Sequence, residues 1–252
     1  MSEDTMDATA GLIARLDAAE TEPGVVRLRH RSYELLELSP GASVVDVGCG
    51  TGRATAELHQ RGAAAIGVEP DELMIATARR RWPAAEFRMG SAESLPLPDQ
   101  AVSGYRADKV LHLLPDPAAA LAEAHRVLTP GGRIVLVGQD WDALMIDSSH
   151  PDLTRAILRS QADSLPSPQA ARAYRNLLLD AGFQDVTVEA HTGIFTEPGF
   201  LPMVEAFAAK AVTAGNVTTE QGAAWVRDQR SRASSGRLFV ALPMFVASAR
   251  CP

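Results

Sequence analysis

The stretch from Val44 to Gly52, Val-Val-Asp-Val-Gly-Cys-Gly-Thr-Gly, constrains this 252-residue chain more than any other. β-Branched residues at 44, 45 and 47 read as a short buried strand. Glycines at 48, 50 and 52 leave the following turn bare, so a ligand can approach its backbone closely. The spacing then excludes two ligand classes. A dinucleotide fingerprint needs Gly-x-Gly-x-x-Gly, but the third glycine comes one residue early and Arg53 holds the expected place. A phosphate-binding loop needs a following Gly-Lys-Ser/Thr, which is absent.

From residue 40 onward, strand-like and helix-like segments alternate, which predicts a parallel sheet covered on both faces. Strands are expected at 43–47, 64–68, 86–89, 102–107 and 133–137, and helices at 53–60, 71–81 and 117–128. Thr129-Pro130-Gly131-Gly132 is expected to stop the last of these helices. Later segments break the rhythm: helices at 152–163 and 169–181, then long strands at 186–195 and 238–249 around a helical stretch from 198 to 231. The division expected is an N-terminal helical cap over 1–38 and a main domain over 39–252, with cap insertions at about 141–168 and 198–232.

A hydrophobic content of 46% suffices for one full core. The net charge of −7 argues against a broad nucleic-acid face, and Arg79-Arg80-Arg81 reads as a helix end. Cys49 and Cys251 are too few and too ill placed for a disulfide framework, which favours a reducing compartment. No apolar run approaches the roughly 18 residues of a membrane span. Residues 1–7 carry neither the basic flank nor the apolar core of a signal peptide. A cytoplasmic monomer or homodimer, with no membrane or nucleic-acid partner, is expected.

The order Asp-x-Gly-x-Gly-x-Gly at 46–52 resembles the first motif of the class I S-adenosylmethionine-dependent methyltransferases. The resemblance implies a Rossmann-like, doubly wound α/β sheet of seven strands, the last antiparallel, with helical cap insertions. It implies S-adenosyl-L-methionine as cofactor and S-adenosyl-L-homocysteine as product. The glycine turn would cradle the amino acid half of the cofactor through Asp46, Gly48, Cys49 and Gly50. Asp46 reads equally well as a structural acceptor for backbone N–H groups. Glu69-Pro70 ends the second strand, about 17 residues past Gly52, where a carboxylate can accept from both ribose hydroxyls; a helix-start acid is the other reading.

Met89-Gly90-Ser91-Ala92-Glu93-Ser94-Leu95-Pro96 resembles the family segment Gly-Asp-Ala-Glu-x-Leu-Pro-Phe, which implies adenine-side contacts from Ser91, Ala92 and Glu93. Ser91 stands where the family has Asp and is a weaker acceptor. Glu93 by itself reads as a local helix-capping acid. Tyr105 to Pro117 resembles the family block near the reacting sulfonium and implies Arg106 as a cofactor contact. With Arg126-Val127-Leu128-Thr129-Pro130-Gly131-Gly132, it is similar to the branch of ubiquinone and menaquinone biosynthesis methyltransferases and their antibiotic-pathway relatives. The aromatic-Asp pair usual before the fourth strand is Val102-Ser103 here.

Methyl transfer from a sulfonium disperses charge, so an enzyme chiefly aligns the reactants and excludes water. A weak nucleophile also needs a base. His112, after the fourth strand, is the candidate base or else a packing residue. Asp140, with Trp141 and Asp142, follows the fifth strand, where open α/β sheets bind substrate. A carboxylate beside an indole can orient a planar or cationic substrate, and a capped turn with a packed Trp is the alternative. Arg31 can meet the cofactor carboxylate or lie on a solvated helix face. No histidine has metal-ligand spacing, so no metal is expected. The function expected is methylation of a small molecule at oxygen or carbon, in specialised metabolism. The alternative is a protein of the same fold that holds the cofactor without transferring its methyl group, such as a cyclase.

Overall fold

The computed structural model describes Gly11, Ile13, Asp17 and residues 20–252. Eight strands form one sheet: β1 (Ser43–Val47), β2 (Ala64–Glu69), β3 (Glu86–Met89), β4 (Val102–Asp108), β5 (Leu128–Gln139), β6 (Met145–Ile146), β7 (Gln184–Phe195) and β8 (Val240–Arg250). The described helices are α1 (Pro23–Leu35), α2 (Arg53–Gln60), α3 (Glu72–Arg81), α4 (Pro117–Val127), α5 (Pro151–Asp163), α6 (Ala170–Asp180), α7 (Leu201–Thr213) and α8 (Thr219–Ser234).

Strands β3-β2-β1-β4-β5 are parallel in that order, so β1 and β4 are neighbours although two helices and two strands separate them in sequence. Antiparallel β8 lies between β5 and β7. Alternation of side chains sorts the two faces. Val135 and Val137 of β5 pack with Tyr33, Leu36 and Leu58 beneath α1 and α2. Ile134 and Leu136 pack with Leu121, Tyr174 and Leu178 of α4 and α6. At the sheet's edge, Ile75 and Ala78 of α3 cover Phe87.

Helices α5, α7 and α8 form a separate cluster around Ile157, Phe207 and the fully buried Trp225, closed against Ile146 and Val240. These helices are drawn from 151–163 and 201–234. The second range contains two helices where one helical stretch was expected, because Gly215 turns the chain at φ +74° and Thr218 and Gln221 form a capping box for α8. Helix α1 covers the sheet and contributes Tyr33 to its core; the remainder of the 1–38 segment, residues 1–10, 12, 14–16, 18 and 19, lies outside the described residues.

Two strand details differ from the expectation. Thr129-Pro130-Gly131-Gly132 continues into β5, its irregular start pinned where the Gly131 N–H donates to Cys251 O and the Cys251 N–H to Gly132 O. The eighth strand, β6, is two residues long and pairs with Val240 and Ala241, while β5 pairs with 244–250 of the same strand. Between them sits Pro243. The N–H and C=O of a strand residue face the same neighbour, and Pro243 O accepts from the Asp140 N–H at 3.0 Å. The donor that proline lacks would therefore face β5 and β6, and the ladder breaks there. At the break the chain leaves the sheet as a 3₁₀ turn, Trp141–Ala143.

Candidate active site

Parallel strands β1, β2, β4 and β5 end along one edge, and the expected site residues can be placed there one by one. Gly48, Gly50 and Gly52 have φ of +64°, +53° and +85°, the left-handed region that glycine enters without strain. Their surroundings differ. A Cβ at Gly48 would overlap Val110 Cγ2, and one at Gly52 would lie 2.6 Å from the Phe87 ring. A Cβ at Gly50 would meet nothing within 4 Å. Two glycines thus serve packing, and the third opens on free space. The Gly48 and Cys49 N–H groups donate to Val68 O at 2.8 and 3.1 Å, fixing the turn to β2. The Cys49 thiol is pushed up by burial and by the carboxylates of Asp46 and Glu69, so it stays protonated.

Glu69 reaches the turn. Its Oε2 accepts from the Gly50 N–H at 3.0 Å and its Oε1 from the Asp71 N–H at 3.2 Å. Burial raises its pKa, and these two N–H groups oppose the rise. Pro70 follows, and Asp71 caps α3 by accepting from Leu73 and Met74 N–H at 2.9 Å.

Asp46 and Arg106, both expected to touch the cofactor, have their side chains engaged beneath the turn. Asp46 accepts from Thr55 Oγ1 at 2.9 Å and from Arg106 Nη1 at 2.7 Å. Arg106 also reaches Asp108 at 2.7 Å and Ser32 Oγ at 2.8 Å. Burial opposes the guanidinium charge, but Asp46 and Asp108 outweigh it and raise the pKa. On the same face of the sheet, at the ends of adjacent strands, Asp108 Oδ1 pairs with Lys109 Nζ at 3.2 Å and Gln139 Oε1 is buried without a hydrogen bond. Asp108 lies inside a recognised motif, whereas Gln139 gave no sign in the sequence.

On the adenine side, Ser91 and Ser94 form a tight turn, the Ser94 N–H donating to Ser91 O at 3.2 Å, and Ala92 is buried. Glu93 is exposed in that turn and caps no helix, since none begins there. Arg31 stands elsewhere. It pairs with Glu189 at 3.0 Å and Glu34 at 2.9 Å, and β7, which carries Glu189, lies beyond β4, β5 and β8 from the glycine turn. Its guanidinium is taken up by these carboxylates instead of facing the expected cofactor carboxylate.

The residues expected on the acceptor side lie in or beside two 3₁₀ turns, Leu111–Leu113 after β4 and Trp141–Ala143 after β5. One connection ties them: the Ser167 N–H donates to His112 O and the Trp141 N–H to Pro168 O, both at 3.1 Å. His112 is 6% exposed, its ring centroid 6.0 Å from that of Trp141. Burial, with Lys109 nearby, pushes its pKa down to about 4, so the imidazole is neutral at pH 7. Asp140 is 1% exposed and is committed to structure. It accepts from the Asp142 N–H at 3.2 Å and pairs with Arg172, whose Nη2 lies 2.7 Å from Oδ1. Among the described residues no three His, Cys, Asp or Glu side chains form a metal-sized group, and no helix is long and apolar enough to cross a membrane.

Comparison with known proteins bears on the family and the fold. Residues 45–136 match the family described as "Methyltransferase domain". The chain is 33% identical over 248 residues to a 37.1 kDa protein in a transposon of Streptomyces fradiae, covering 94% of this chain and 69% of that one. It is 32% identical over 164 residues to the O-methyltransferase cnsE of Penicillium expansum, covering 61% of this chain and 56% of the relative. Among solved structures it shares the fold of the cyclase SpnF, with a TM-score of 0.57 and 23% identity, covering 90% of this chain and 81% of that one.

Proposed function

The chain belongs to the class I S-adenosylmethionine-dependent methyltransferases, and from that premise we propose that it methylates an oxygen or carbon atom of a small molecule in specialised metabolism. Bound S-adenosylmethionine supplies an electrophilic methyl group on a positively charged sulfur. Gly50 offers it bare backbone in a turn that Gly48 and Cys49 tie to β2, Glu69 a carboxylate for the ribose hydroxyls, with Pro70 stiffening the chain behind it, and Ser91 and Ala92 a polar edge for adenine. Gln139 Oε1, a buried acceptor without a hydrogen bond, suits the ammonium of its amino acid end. Asp46 and Arg106 hold the turn from beneath.

One observation carries this reading. At Gly50 the space for a Cβ is empty while the N–H is bonded to Glu69, so the two halves of a cofactor cradle meet at one residue. On the acceptor side, neutral His112 can hold or take a proton at a ring nitrogen, but a pKa of about 4 makes it a weak base. Its role suits an acceptor whose own hydroxyl or carbon acid is already acidic. Asp140 acts by holding the Trp141 turn in place.

Calorimetric titration with S-adenosylmethionine, S-adenosylhomocysteine and NAD tests the cofactor: the first two are expected to bind, and binding of NAD alone refutes the reading. Glu69→Ala is expected to weaken both by about 1–3 kcal/mol, the loss of a charged hydrogen-bond partner. Incubation with labelled methyl donor and small-molecule extracts, followed by mass analysis, is expected to reveal a small molecule that gains a methyl group. Cofactor binding with no transfer to any fraction would favour the second reading, a non-methylating catalyst; that SpnF, a cyclase, has this fold is what keeps it in view.

A further inference from the structure

The three tryptophans provide an internal comparison. Trp82 Nε1 donates to Thr51 O at 3.1 Å, and Trp225 Nε1 donates to Thr154 Oγ1 at 2.8 Å. Trp141 Nε1 is equally cut off from solvent and has no partner. A buried donor left unpaired costs about 1–3 kcal/mol, and folded proteins leave few of them.

The indole is not free to seek a partner. Asp140 caps its turn, Arg172 holds Asp140, and Trp141's own N–H is bonded to Pro168 O at 3.1 Å. The ring is also walled. His112 lies 6.0 Å away at an interplanar angle of 57°, and Phe207 of α7 lies 6.3 Å away, edge-on at 86°. His112 itself makes no side-chain hydrogen bond among the described residues. The indole thus packs against two rings, the neutral imidazole of His112 and the phenyl of Phe207, and carries one fixed donor with no partner. Val110, two residues before His112, is the side chain packed on Gly48, which ties this cluster to the glycine turn.

We infer that Trp141 Nε1 is the substrate-binding donor of this enzyme, holding an oxygen of a flat methyl acceptor, a phenol or enol, between His112 and Phe207. This inference rests on the methyltransferase reading and names the acceptor class for the same site. It assigns to Trp141 specificity for oxygen-bearing rings over their hydrocarbon counterparts, because only an oxygen pairs the buried N–H.

The test observes the indole N–H directly in proton–nitrogen correlation spectra of the whole chain, with the Trp141 cross-peak identified from Trp141→Phe. S-Adenosylhomocysteine is added first, then 4-methylphenol, or 1,4-dimethylbenzene as the matched ring with a methyl group in place of the hydroxyl. The Trp141 signal is expected to move downfield and saturate with the phenol only, while those of Trp82 and Trp225 stay. Trp141→Phe, which keeps a ring and loses the donor, is expected to bind the phenol roughly five- to tenfold more weakly with S-adenosylhomocysteine affinity unchanged. A Trp141 signal indifferent to the phenol in protein that binds S-adenosylhomocysteine, or one that answers both probes alike, overturns the inference. Failure of S-adenosylhomocysteine to bind overturns the reading on which it rests. The wild-type spectra decide the matter even if the variant does not fold.

Discussion

Along one edge of the sheet, the half built on β1 and β2 and the half built on β4 and β5 reach their geometry by different means. In the first, the turn, the acid and the helix cap lie between Asp46 and Asp71, and nearly every contact that shapes them is made by backbone: glycines at positive φ, N–H groups on Val68 O, and N–H groups on Glu69. In the second, His112, Trp141, Ser167, Phe207 and Pro243 come from five segments and meet through side-chain packing and three long-range backbone bonds. A cofactor used unchanged by a whole family can be held by a short, locally encoded backbone device. An acceptor particular to one enzyme is met by residues that only the complete fold assembles.

The sharpest way to break this contrast is at the joint the halves share. Arg106 is 3% exposed and bonds Asp46 of β1 and Asp108 of β4. Arg106→Met leaves two buried carboxylates without their cation and is expected to cost about 3–5 kcal/mol in the denaturant-unfolding free energy. If the loss is under 1 kcal/mol, the halves do not depend on this joint.

Next come the glycines, which separate packing from ligand space inside the first half. Gly48→Ala forces a methyl group onto Val110 in a left-handed conformation and is expected to cost about 2–4 kcal/mol of stability. Gly50→Ala carries only the conformational cost, about 1–2 kcal/mol, but is expected to lose S-adenosylhomocysteine affinity out of proportion. Equal stability losses would remove the distinction.

A pH titration sharpens the second half. His112 has a folded pKa of about 4 against an ordinary 6.5, so the unfolded chain binds the extra proton between these values. The stability contributed by keeping it neutral is complete above pH 6.5 and is lost as pH falls towards 4, about 3 kcal/mol in all. His112→Gln is expected to flatten that slope in unfolding measured across the range. The smallest effect is expected at Phe207→Leu: a stability change below about 1.5 kcal/mol, unaltered cofactor affinity, and a raised KM for the acceptor once it is identified.

The same contrast explains what could be read from the sequence. The boundaries of β1, β3 and α2 follow directly from β-branched runs, glycines and proline stops, because the signals for those elements are local. Glu69 was legible for the same reason, and the structure puts it on Gly50. Arg31 misled because its partner, Glu189, is remote in sequence, and no helix-face argument anticipates an ion pair with a distant strand. Asp140 misled in the same way, because Arg172 takes its carboxylate, while the indole beside it holds a buried donor without a partner. Strand β6 is too short to leave a pattern, and the one available signal for the break before it was a proline ninety-eight positions downstream of Met145.

Pro243 has a consequence for how such a chain changes over time. Because β5 pairs with 244–250 of β8 and β6 with 240–241, the register of β8 is clamped on both sides of the gap. Within residues 140–144, Asp140 and Leu144 are buried, and the exposed Asp142 is the position that can change while neither clamp slips, whereas a slip of one residue would turn every side chain of β8 to the wrong face. Variation at this point leaves the glycine turn between β1 and α2 untouched. For redesign, the same gap is a grafting point whose two anchors are already fixed.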